Sequence, residues 1–331
     1  MIAPDLPADL KAALARLGEG LSRRETAARA ARISSDYRGG GTSRGIADAT
    51  AALAYAYTRM PATYAAVSAC LSALAEAAPD FRPQSLLDVG AGPGTASWCA
   101  ATAFSSLQNF TLLDSNPALH ELAMALARDA HRFPALAYRL GNASHLLDDA
   151  APADLVIASY VVNELGETQR RALIDAAWRK TLGVLLIVEP GTPAGYARII
   201  EARDALIADG AHVVAPCPHD AVCPLTSPDW CHFAQRLPRL RDHRQIKGVE
   251  LPFEDEKFSY VALSRTPPSR RAARVLAPPH ASKVAIEAKL CTAQGSLAHA
   301  VIPRRDKAAY AATRRWRWGD AVDFSLAPPA E

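Results

Sequence analysis

The sequence predicts an α/β protein with a doubly wound, mostly parallel β-sheet. Three observations support this fold class. Short apolar runs alternate with helical segments from about residue 85, a glycine-rich turn follows the first run, and no internal repeat interrupts the alternation. The apolar runs are SLLDVG, NFTLLDSN, LAYRLGNA, ADLVIASYVV and LLIVEPG. Half of the 331 residues are hydrophobic and 21% are charged, so the chain can bury a sizeable core and form two domains.

The N-terminal part, residues 1–80, is predicted to be a helical region because apolar residues recur there at three- and four-residue spacing. RGGGTSRG, at residues 38–45, predicts a flexible break. Pro61 is expected to divide the segment at residues 46–78 into two helices, since a proline removes an intrahelical hydrogen bond.

Three regions are predicted after this helical part. The sheet domain covers residues 81–210, and residues 211–264 contain a cysteine-rich loop and the end of the sheet, with FSYVALSR as a strand. Residues 265–331 form a small basic domain that contains β-strands. In that domain TPPSRRAARVLAPPH is predicted to be a linker and SKVAIEAKLC a strand.

The termini and hydropathy of the chain predict its surroundings. The N-terminus lacks a basic start followed by an apolar core and a small-residue cleavage site, so we expect no secretory signal. No run of about eighteen apolar residues occurs, so we expect no membrane span. We therefore expect a cytoplasmic protein, in which clustered cysteines more often bind metal or take part in chemistry than form disulfides.

The C-terminal region is strongly basic, although the net charge of the whole chain is only +3. Between Arg265 and Trp318 there are twelve lysines and arginines, at positions 265, 270, 271, 274, 283, 289, 304, 305, 307, 314, 315 and 317. Only Glu287 and Asp306 oppose them in this stretch. The imbalance predicts a polyanionic partner, and the alternative is an ordinary solvated surface.

The glycine-rich turn DVGAGPGTASW predicts a nucleotide-type cofactor site. Gly90, Gly92 and Gly94 allow a tight turn and a close ligand approach between a strand and a helix N-terminus. Both NAD-binding and AdoMet-binding folds have such turns. Here the spacing is G-x-G-x-G and Asp88 precedes it, which resembles motif I of class I AdoMet-dependent methyltransferases, a Rossmann-like fold. The alternative is a turn that only packs.

Two further residues are candidates for AdoMet contacts. Asp114 ends the second predicted strand, where a carboxylate can accept hydrogen bonds from both ribose hydroxyls. Asn142, in GNAS after the third strand, is a candidate for holding the adenine amino group.

The candidate catalytic residues are Asn163 and Glu164, in SYVVNELGE after the fourth strand. They lie at the carboxyl edge of the sheet, where substrates bind in such folds. The alternative interpretation is a loop cap with a contact to AdoMet, and Asn163 is a candidate cofactor residue for that reason. The Asn/Asp-Pro-Pro-aromatic motif that holds a flipped base is absent from the sequence. A nucleophilic cysteine for 5-methylcytosine chemistry has only a faint counterpart at Cys217.

The stretch CPHDAVCPLTSPDWCHF contains three of the six cysteines, and they predict a metal site. The spacing of Cys217, Cys223 and Cys231 is neither that of a zinc ribbon nor that of a ferredoxin, but an irregular loop can wrap a metal. Cys291 is the candidate fourth ligand. Four thiolates suit either zinc or an iron–sulfur cluster.

Other cysteines and histidines are assigned differently. His219 and His232 are alternative ligands for zinc, and Cys70 and Cys99 are expected to be small buried side chains. For the four candidate ligands Cys217, Cys223, Cys231 and Cys291, the alternative is four independent reduced cysteines.

Several motifs together resemble the ribosomal small-subunit methyltransferase-like family. They are AYAYTRMPATYAA, DVGAGPGTASW, VVNELG, VEPGTPAG, PCPHDAVCPL, DWCHFAQRL and RRWRWGD, and the likeness extends from about residue 35 to residue 320. The resemblance implies a class I methyltransferase fold with a [4Fe–4S] cluster on Cys217, Cys223, Cys231 and Cys291. It also implies a role in maturation of the small ribosomal subunit, bound to its RNA, and its mitochondrial member is a subunit assembly factor.

The segment IPRRDKAAYAATRRWRWGD is the candidate RNA-facing surface. The candidate contacts are Arg304, Arg305, Arg314, Arg315 and Arg317. Arginines interleaved with tyrosine and tryptophan suit phosphate pairing with base stacking. For Trp316 and Trp318 the alternative is packing within the fold.

These observations predict an AdoMet-binding, [4Fe–4S]-containing, methyltransferase-like protein that acts on ribosomal RNA or on the assembling small subunit. One alternative is a non-catalytic assembly factor that retains the fold. Another is a small-molecule methyltransferase with a structural zinc. We expect the protein to be a monomer when it is not bound to the ribosome.

Overall fold

The computed structural model describes residues 2–19, 28–29, 45–239 and 251–324. In this part of the chain one large sheet is formed by eight strands: β1 (Ser85–Val89), β2 (Asn109–Asp114), β3 (Ala135–Leu140), β4 (Ala153–Ser159), β5 (Thr181–Pro190), β6 (His212–Ala215), β7 (Phe233–Pro238) and β8 (Phe253–Ser264). The break predicted at residues 38–45 lies outside the described residues, apart from Gly45.

The strands of the large sheet lie in the order β3-β2-β1-β4-β5-β8-β6, and β7 also pairs with β8. The first five strands are parallel, whereas β8 is antiparallel to both β5 and β6. The central strands β4 and β5 contain continuous buried apolar runs, as expected for strands covered on both faces. The predicted doubly wound sheet is therefore confirmed.

Seven helices of the described residues accompany this sheet: α1 (Ala8–Leu17), α2 (Ala49–Ala77), α3 (Thr95–Ala103), α4 (Pro117–Ala127), α5 (Ala143–Asp148), α6 (Glu167–Arg179) and α7 (Pro193–Ala208). Alternate strand residues point to opposite faces, so two cores form. One core contains residues of α1 to α4, and the other contains residues of α6 and α7.

α2 is one continuous helix of 29 residues, so the predicted division at Pro61 is wrong. A proline removes one backbone donor from a helix, but 18 residues of α2 are buried, Pro61 among them. The alanine-rich flanks are strong helix formers. Packing of a long apolar helix against the sheet therefore outweighs one missing hydrogen bond.

A second, smaller sheet follows β8. It has five strands in the described residues: β9 (Ala273–Val275), β10 (His280–Ala281), β11 (Ala285–Cys291), β12 (Leu297–Pro303) and β13 (Ala321–Val322). Helix α8 (Lys307–Thr313) packs against it and contributes Ala309 to a third core. The predicted linker at residues 266–280 is thus partly wrong, because β9 lies within it and its three residues are buried.

The helices of residues 2–19, 28–29, 45–239 and 251–324 lack the combination of length and apolar character that a membrane span requires.

Candidate functional site

The glycine-rich turn joins β1 to α3 at the carboxyl edge of the large sheet. Gly90, Gly92 and Gly94 have φ angles of 69°, 54° and 80°, which glycine adopts without steric cost. A Cβ atom on Gly90 would lie 2.4 Å from the side chain of Val161, so this position also requires glycine for close packing. The turn leads directly into α3, and a helix N-terminus is an end at which backbone N–H groups can bind a ligand.

Asp88 lies beneath this turn and is completely buried. Its Oδ2 accepts hydrogen bonds from the backbone N–H and the hydroxyl of Ser97, at 3.1 and 2.7 Å. Its Oδ1 is buried and has no hydrogen-bond partner among the described residues. Burial raises the pKa of Asp88 to about 7. The site therefore contains a buried acceptor oxygen that a donor group can satisfy.

Asp114 and Asn142 follow the two neighbouring strands. The two carboxylate oxygens of Asp114 accept from the N–H groups of Gly92 and Asn116, each at 2.8 Å. An ionised carboxylate has about four acceptor positions, so further donors can bind Asp114. Asn142 is exposed and caps α5, accepting from the N–H of Ser144 at 3.0 Å. It therefore has a structural role whether or not it also contacts adenine.

Asn163 and Glu164 form a short 3-10 helix, Val162–Glu164, directly after β4. The N–H of Asn163 donates to Oε1 of Glu189 at 3.1 Å, and the side-chain oxygen of Asn163 is buried without a partner among the described residues. Glu189 ends the buried part of β5 and pairs with Arg198 of α7. Burial raises the pKa of Glu189, and Arg198 acts in the opposite direction. Glu189, which appears in the sequence analysis only within the stretches LLIVEPG and VEPGTPAG, thus orients Asn163.

Tyr160, between β4 and this 3-10 helix, has a positive φ of 57°. Such a conformation costs a bulky residue about 1–3 kcal/mol and concentrates at functional sites. The hydroxyl of Tyr160 donates to Glu256 at 3.2 Å, and Arg59 pairs with the same carboxylate oxygen. Val162 is 1% exposed. The Tyr160–Val162 segment therefore directs its aromatic ring toward Glu256 and offers no stacking ring for a flipped base.

The four candidate metal-binding cysteines line one pocket. Cys217, Cys223 and Cys231 come from the loop between β6 and β7, and Cys291 ends β11 of the smaller sheet. Residues of α7, β8 and β9 complete the walls. The pocket thus lies at the junction of the two sheets, and residues far apart in sequence meet there.

The sulfur atoms have specific neighbours. The Tyr196 hydroxyl lies 3.2 Å from Sγ of Cys223, and Nε2 of His219 lies 3.3 Å from Sγ of Cys291. Nδ1 of His219 lies 3.1 Å from the carbonyl of Ala221, which can only accept, so Nε2 is the bare nitrogen that faces the sulfur. Burial, together with the neighbouring Cys217 and Cys223, raises the pKa of Cys291 to about 12.

Two buried arginines, which the sequence analysis did not single out for this site, also line the pocket. Arg203 of α7 is 1% exposed and Arg274 of β9 is 5% exposed. The spacing of Tyr196, Ile199 and Arg203 along α7 is the only sequence signal for the first, since these residues share one helix face. No Asp or Glu occurs among the described residues that line the pocket.

The remaining metal candidates are located as follows. His219 lines the pocket, whereas His232 does not. In the described part of the chain no three His, Cys, Asp or Glu side chains converge closely enough to hold one metal ion. Cys70 and Cys99 are fully buried in the first core, which confirms that assignment.

The five candidate RNA-binding arginines are exposed on the smaller sheet's side of the molecule. Arg304 and Arg305 follow β12, and the others follow α8: Arg314, Arg315 and Arg317. The tryptophans between them pack within the fold, Trp316 on the third core and Trp318 on the first.

The turn that carries these last arginines, residues 314–319, is called the basic turn below. It contacts the loop between β6 and β7, residues 216–232, which is called the cysteine loop. The ring of Trp318 meets that of His232 edge to face at 4.9 Å, and His232 stacks on Trp230, also at 4.9 Å. Cys231 lies between Trp230 and His232 in the chain. The basic turn therefore packs on the cysteine loop through Trp318 and His232.

Comparison with known proteins gives a family and several relatives. A family model described as "Mitochondrial small ribosomal subunit Rsm22" matches residues 49–323. The human "Ribosome assembly protein METTL17, mitochondrial" is 29% identical over 299 residues, which is 84% of this chain and 63% of that protein. The "Rsm22-cox11 tandem protein 2, mitochondrial" of Schizosaccharomyces pombe is 25% identical over 324 residues, 81% of this chain and 42% of that protein. The chain thus spans about half of the length of these relatives.

Solved structures of methyltransferases are also similar to this chain. One is magnesium protoporphyrin IX methyltransferase from Synechocystis PCC 6803 with bound SAM, at 13% identity and a TM-score of 0.42, covering 62% of this chain and 80% of that one. Another is a putative RNA methyltransferase, PH1948 from Pyrococcus horikoshii, at 14% identity and a TM-score of 0.39, covering 60% and 83%. The strand order and the antiparallel β8 carry the fold assignment, a Rossmann-like sheet of the class I methyltransferase type.

Proposed function

The chain belongs to the Rsm22 family, and on that premise we propose that it acts in assembly of the small ribosomal subunit. In this proposal it binds AdoMet at the glycine-rich turn, carries a [4Fe–4S] cluster on four cysteines and contacts ribosomal RNA through its basic end. The name of the human relative, a ribosome assembly protein, supports the assembly role.

The residues at the glycine turn fit AdoMet. Its methionine part carries an ammonium group with several N–H donors, and two buried acceptors near this edge lack partners among the described residues, Oδ1 of Asp88 and Oδ1 of Asn163. Unsatisfied buried acceptors are costly in the ligand-free protein, so a cationic donor would gain from binding there. Asp114 would accept from the ribose hydroxyls, Asn142 would contact adenine, and Gly90, Gly92 and Gly94 would allow the close approach.

The residues of the cysteine pocket fit an iron–sulfur cluster. Four thiols surround a common space, no carboxylate of the described residues lines it, and two buried guanidinium groups do. In a [4Fe–4S] cluster each iron takes one thiolate, which suits sulfur atoms placed around a space. A single zinc ion needs all four ligands at about 2.3 Å from one point. The cluster, when bound, would cross-link the loop to the smaller sheet through Cys217, Cys223, Cys231 and Cys291.

The observation that carries this proposal is the convergence of cysteines from two separate regions at the junction of the two sheets. Iron, zinc and acid-labile sulfide per chain should be measured on protein purified without oxygen. We expect about four irons and four sulfides. One zinc without sulfide would instead indicate a structural zinc site and would favour a small-molecule methyltransferase.

The link between the cluster and RNA contact has its own test. Because the basic turn packs on the cysteine loop, we expect Cys223→Ser to weaken binding to small-subunit RNA, measured by filter binding. Cys70→Ser is a matched control, since Cys70 is buried elsewhere in the first core. Unchanged folding and RNA affinity in Cys223→Ser would contradict the coupling.

We propose binding rather than methyl transfer as the role of the fold. Tyr160 is directed toward Glu256 and Val162 is buried, so the carboxyl edge of β4 offers no stacking ring for a base. Labelled AdoMet incubated with immature small subunits provides the test. Label retained on the protein but not transferred to RNA is expected, and transfer to a nucleotide would instead assign an enzyme, with Asn163 and Glu164 as the residues to examine.

A further inference from the structure

Arg203 of α7 and Arg274 of β9 both line the cysteine pocket and both bind the backbone of the cysteine loop. Nη2 of Arg203 donates to the carbonyls of His219 and Ala221 at 3.0 and 2.7 Å. Nε of Arg274 donates to the carbonyl of Pro216 at 2.9 Å, directly before Cys217. The two side chains therefore fix the loop on both sides of Cys217 and ahead of Cys223.

Arg274 also connects the pocket to the basic turn. Its Nη1 donates to the carbonyl of Gly319 at 2.7 Å, immediately after Trp318. Arg203 is oriented on α7 by Asp204, at 2.6 Å, and Asp204 is about half exposed. Arg274 forms no ion pair within the described residues, so its charge is balanced there only by carbonyl dipoles and by whatever occupies the pocket.

The charges of these residues call for an anion in the pocket. A buried guanidinium without a buried counter-charge is costly, and here two such groups face four thiols and no carboxylate of the described residues. Nε of Arg203 is buried and has no partner in the described part of the chain. Four thiolates on a [4Fe–4S]2+ core leave two negative charges. Arg274, which has no ion pair within the described residues, and Arg203, whose partner Asp204 is half exposed, are the buried cations that face them.

We propose that Arg203 and Arg274 are the positioning and charge-balancing residues of the four-cysteine centre. The inference rests on the proposed function, because it takes that centre to be occupied. It goes further in naming the groups that hold Cys217 and Cys223 in place and set the energy of the centre's reduced state. Removing a positive charge next to a cluster disfavours the addition of an electron.

The test uses the full chain purified without oxygen. In Arg203→Met and Arg274→Met we expect the midpoint potential of the cluster, in a dithionite titration followed by electron paramagnetic resonance, to fall by about 60 mV. That shift is a tenfold weaker one-electron reduction at 59 mV per tenfold. We also expect iron loss to a chelator at least tenfold faster. Arg203→Lys keeps the charge but loses the planar guanidinium that donates to two carbonyls. The midpoint potential of its cluster should therefore stay near that of the wild type, while its iron is lost faster.

Arg265→Met is the matched control. Arg265 also donates to backbone carbonyls, those of Trp178 and Thr181, but at the end of α6 and the start of β5. We expect it to change neither readout. Unchanged potential and unchanged iron loss in both methionine variants would overturn the inference. If either methionine variant fails to fold, the lysine variant and the other methionine variant decide.

The failure of the proposed function gives a different result. If the wild-type protein contained one zinc and no sulfide, the proposed cluster would be wrong. Four thiolates on zinc also leave two negative charges, so the role of the two arginines could still be tested. Zinc release to a chelator would then be the readout. A tenfold acceleration in Arg203→Met and Arg274→Met, absent from Arg265→Met, would support the inference, and equal rates would overturn it.

Discussion

Asp88 is completely buried, so its environment differs strongly from that of a surface carboxylate. Burial raises its pKa to about 7 in the folded protein, against 3.8 without burial. The folded state therefore binds the proton more tightly than the unfolded state does, and stability is lost as the pH rises from about 4 to about 7. We expect AdoMet, which brings N–H donors, to recover part of this loss.

Asp88→Asn tests this account. Because asparagine cannot ionise, we expect the stability of the variant to rise relative to that of the wild type across that pH range. The relative gain in the free energy of unfolding should reach about 4 kcal/mol at most above pH 7, given 1.36 kcal/mol per pKa unit. Urea denaturation without AdoMet at pH 5 and pH 8 measures the difference. Calorimetry at pH 8 should show weaker AdoMet binding in the variant. A stability difference that is equal at both pH values would contradict the assignment.

Gly90 combines two constraints that a second glycine separates. Gly90 has a φ of 69° and would place a Cβ 2.4 Å from Val161, whereas Gly210 has a φ of 86° and nothing within 4 Å of the added atom. Gly210→Ala should therefore cost about 1–2 kcal/mol, from conformation alone. Gly90→Ala should cost about 1–3 kcal/mol more, because overpacking adds to it. If Gly90→Ala and Gly210→Ala lost equal stability in thermal denaturation, the loop after β4 would accommodate the added methyl group at no further cost.

At the scale of the helix, two asparagines that cap neighbouring helices differ in their burial. Asn116 caps α4 through the N–H of Leu119, at 3.1 Å, and its amide also donates to the carbonyl of Ile46, at 2.9 Å. Asn142 caps α5 and is exposed. We expect Asn116→Ala to cost about 2 kcal/mol and Asn142→Ala about half as much, since only the first leaves a buried carbonyl unpaired.

Urea denaturation of the two variants, with and without AdoMet, checks this prediction. Asn116→Asp keeps the cap but not the donor to Ile46, so it should fall between Asn116→Ala and the wild type. Asn142→Ala should lose AdoMet affinity out of proportion to its small loss of stability. If instead both alanine variants lost the same stability and kept their affinity, Asn142 would be a cap alone.

The elements that the sequence predicted are those whose pattern is local. The runs of β1 to β5 and the glycines at 90, 92 and 94 require no knowledge of distant contacts, and the structure contains them. Pro61 was misread because a helix-breaking tendency of a few kcal/mol is outweighed by burial of most of α2. Arg274 was counted only as a basic residue, since its burial at the cysteine pocket depends on β9 joining the smaller sheet.

At the scale of the whole molecule, the cysteine pocket is where the two sheets are joined. Loop residues after β6, one strand end of the smaller sheet and the arginines of α7 and β9 all meet there. An occupant of the pocket would therefore stabilise the contact between the large sheet and the smaller sheet more than either sheet alone. The basic turn, held by Arg274 and by Trp318 on His232, would be fixed by the same occupant.

The basic turn gives the final prediction, which concerns the salt dependence of RNA binding. Each arginine that neutralises a phosphate releases counterions, so the slope of log affinity against log salt changes by about 0.7 to 0.9 per contact. Replacing Arg314, Arg315 and Arg317 by glutamine should therefore reduce the slope for small-subunit RNA by about 2 to 3. Filter binding over a range of potassium chloride concentrations measures it.

The control replaces three exposed arginines that lie near the large sheet: Arg82, Arg171 and Arg179. The same net charge is removed in both triple variants, so a general electrostatic attraction predicts equal slopes. Direct phosphate contact predicts a lower slope only for the variant at residues 314, 315 and 317. Because that turn packs on the cysteine loop, chelator treatment of the wild-type protein should reduce the slope in the same direction. If the slope is the same after the triple replacement and after chelator treatment, RNA does not bind at this face of the molecule.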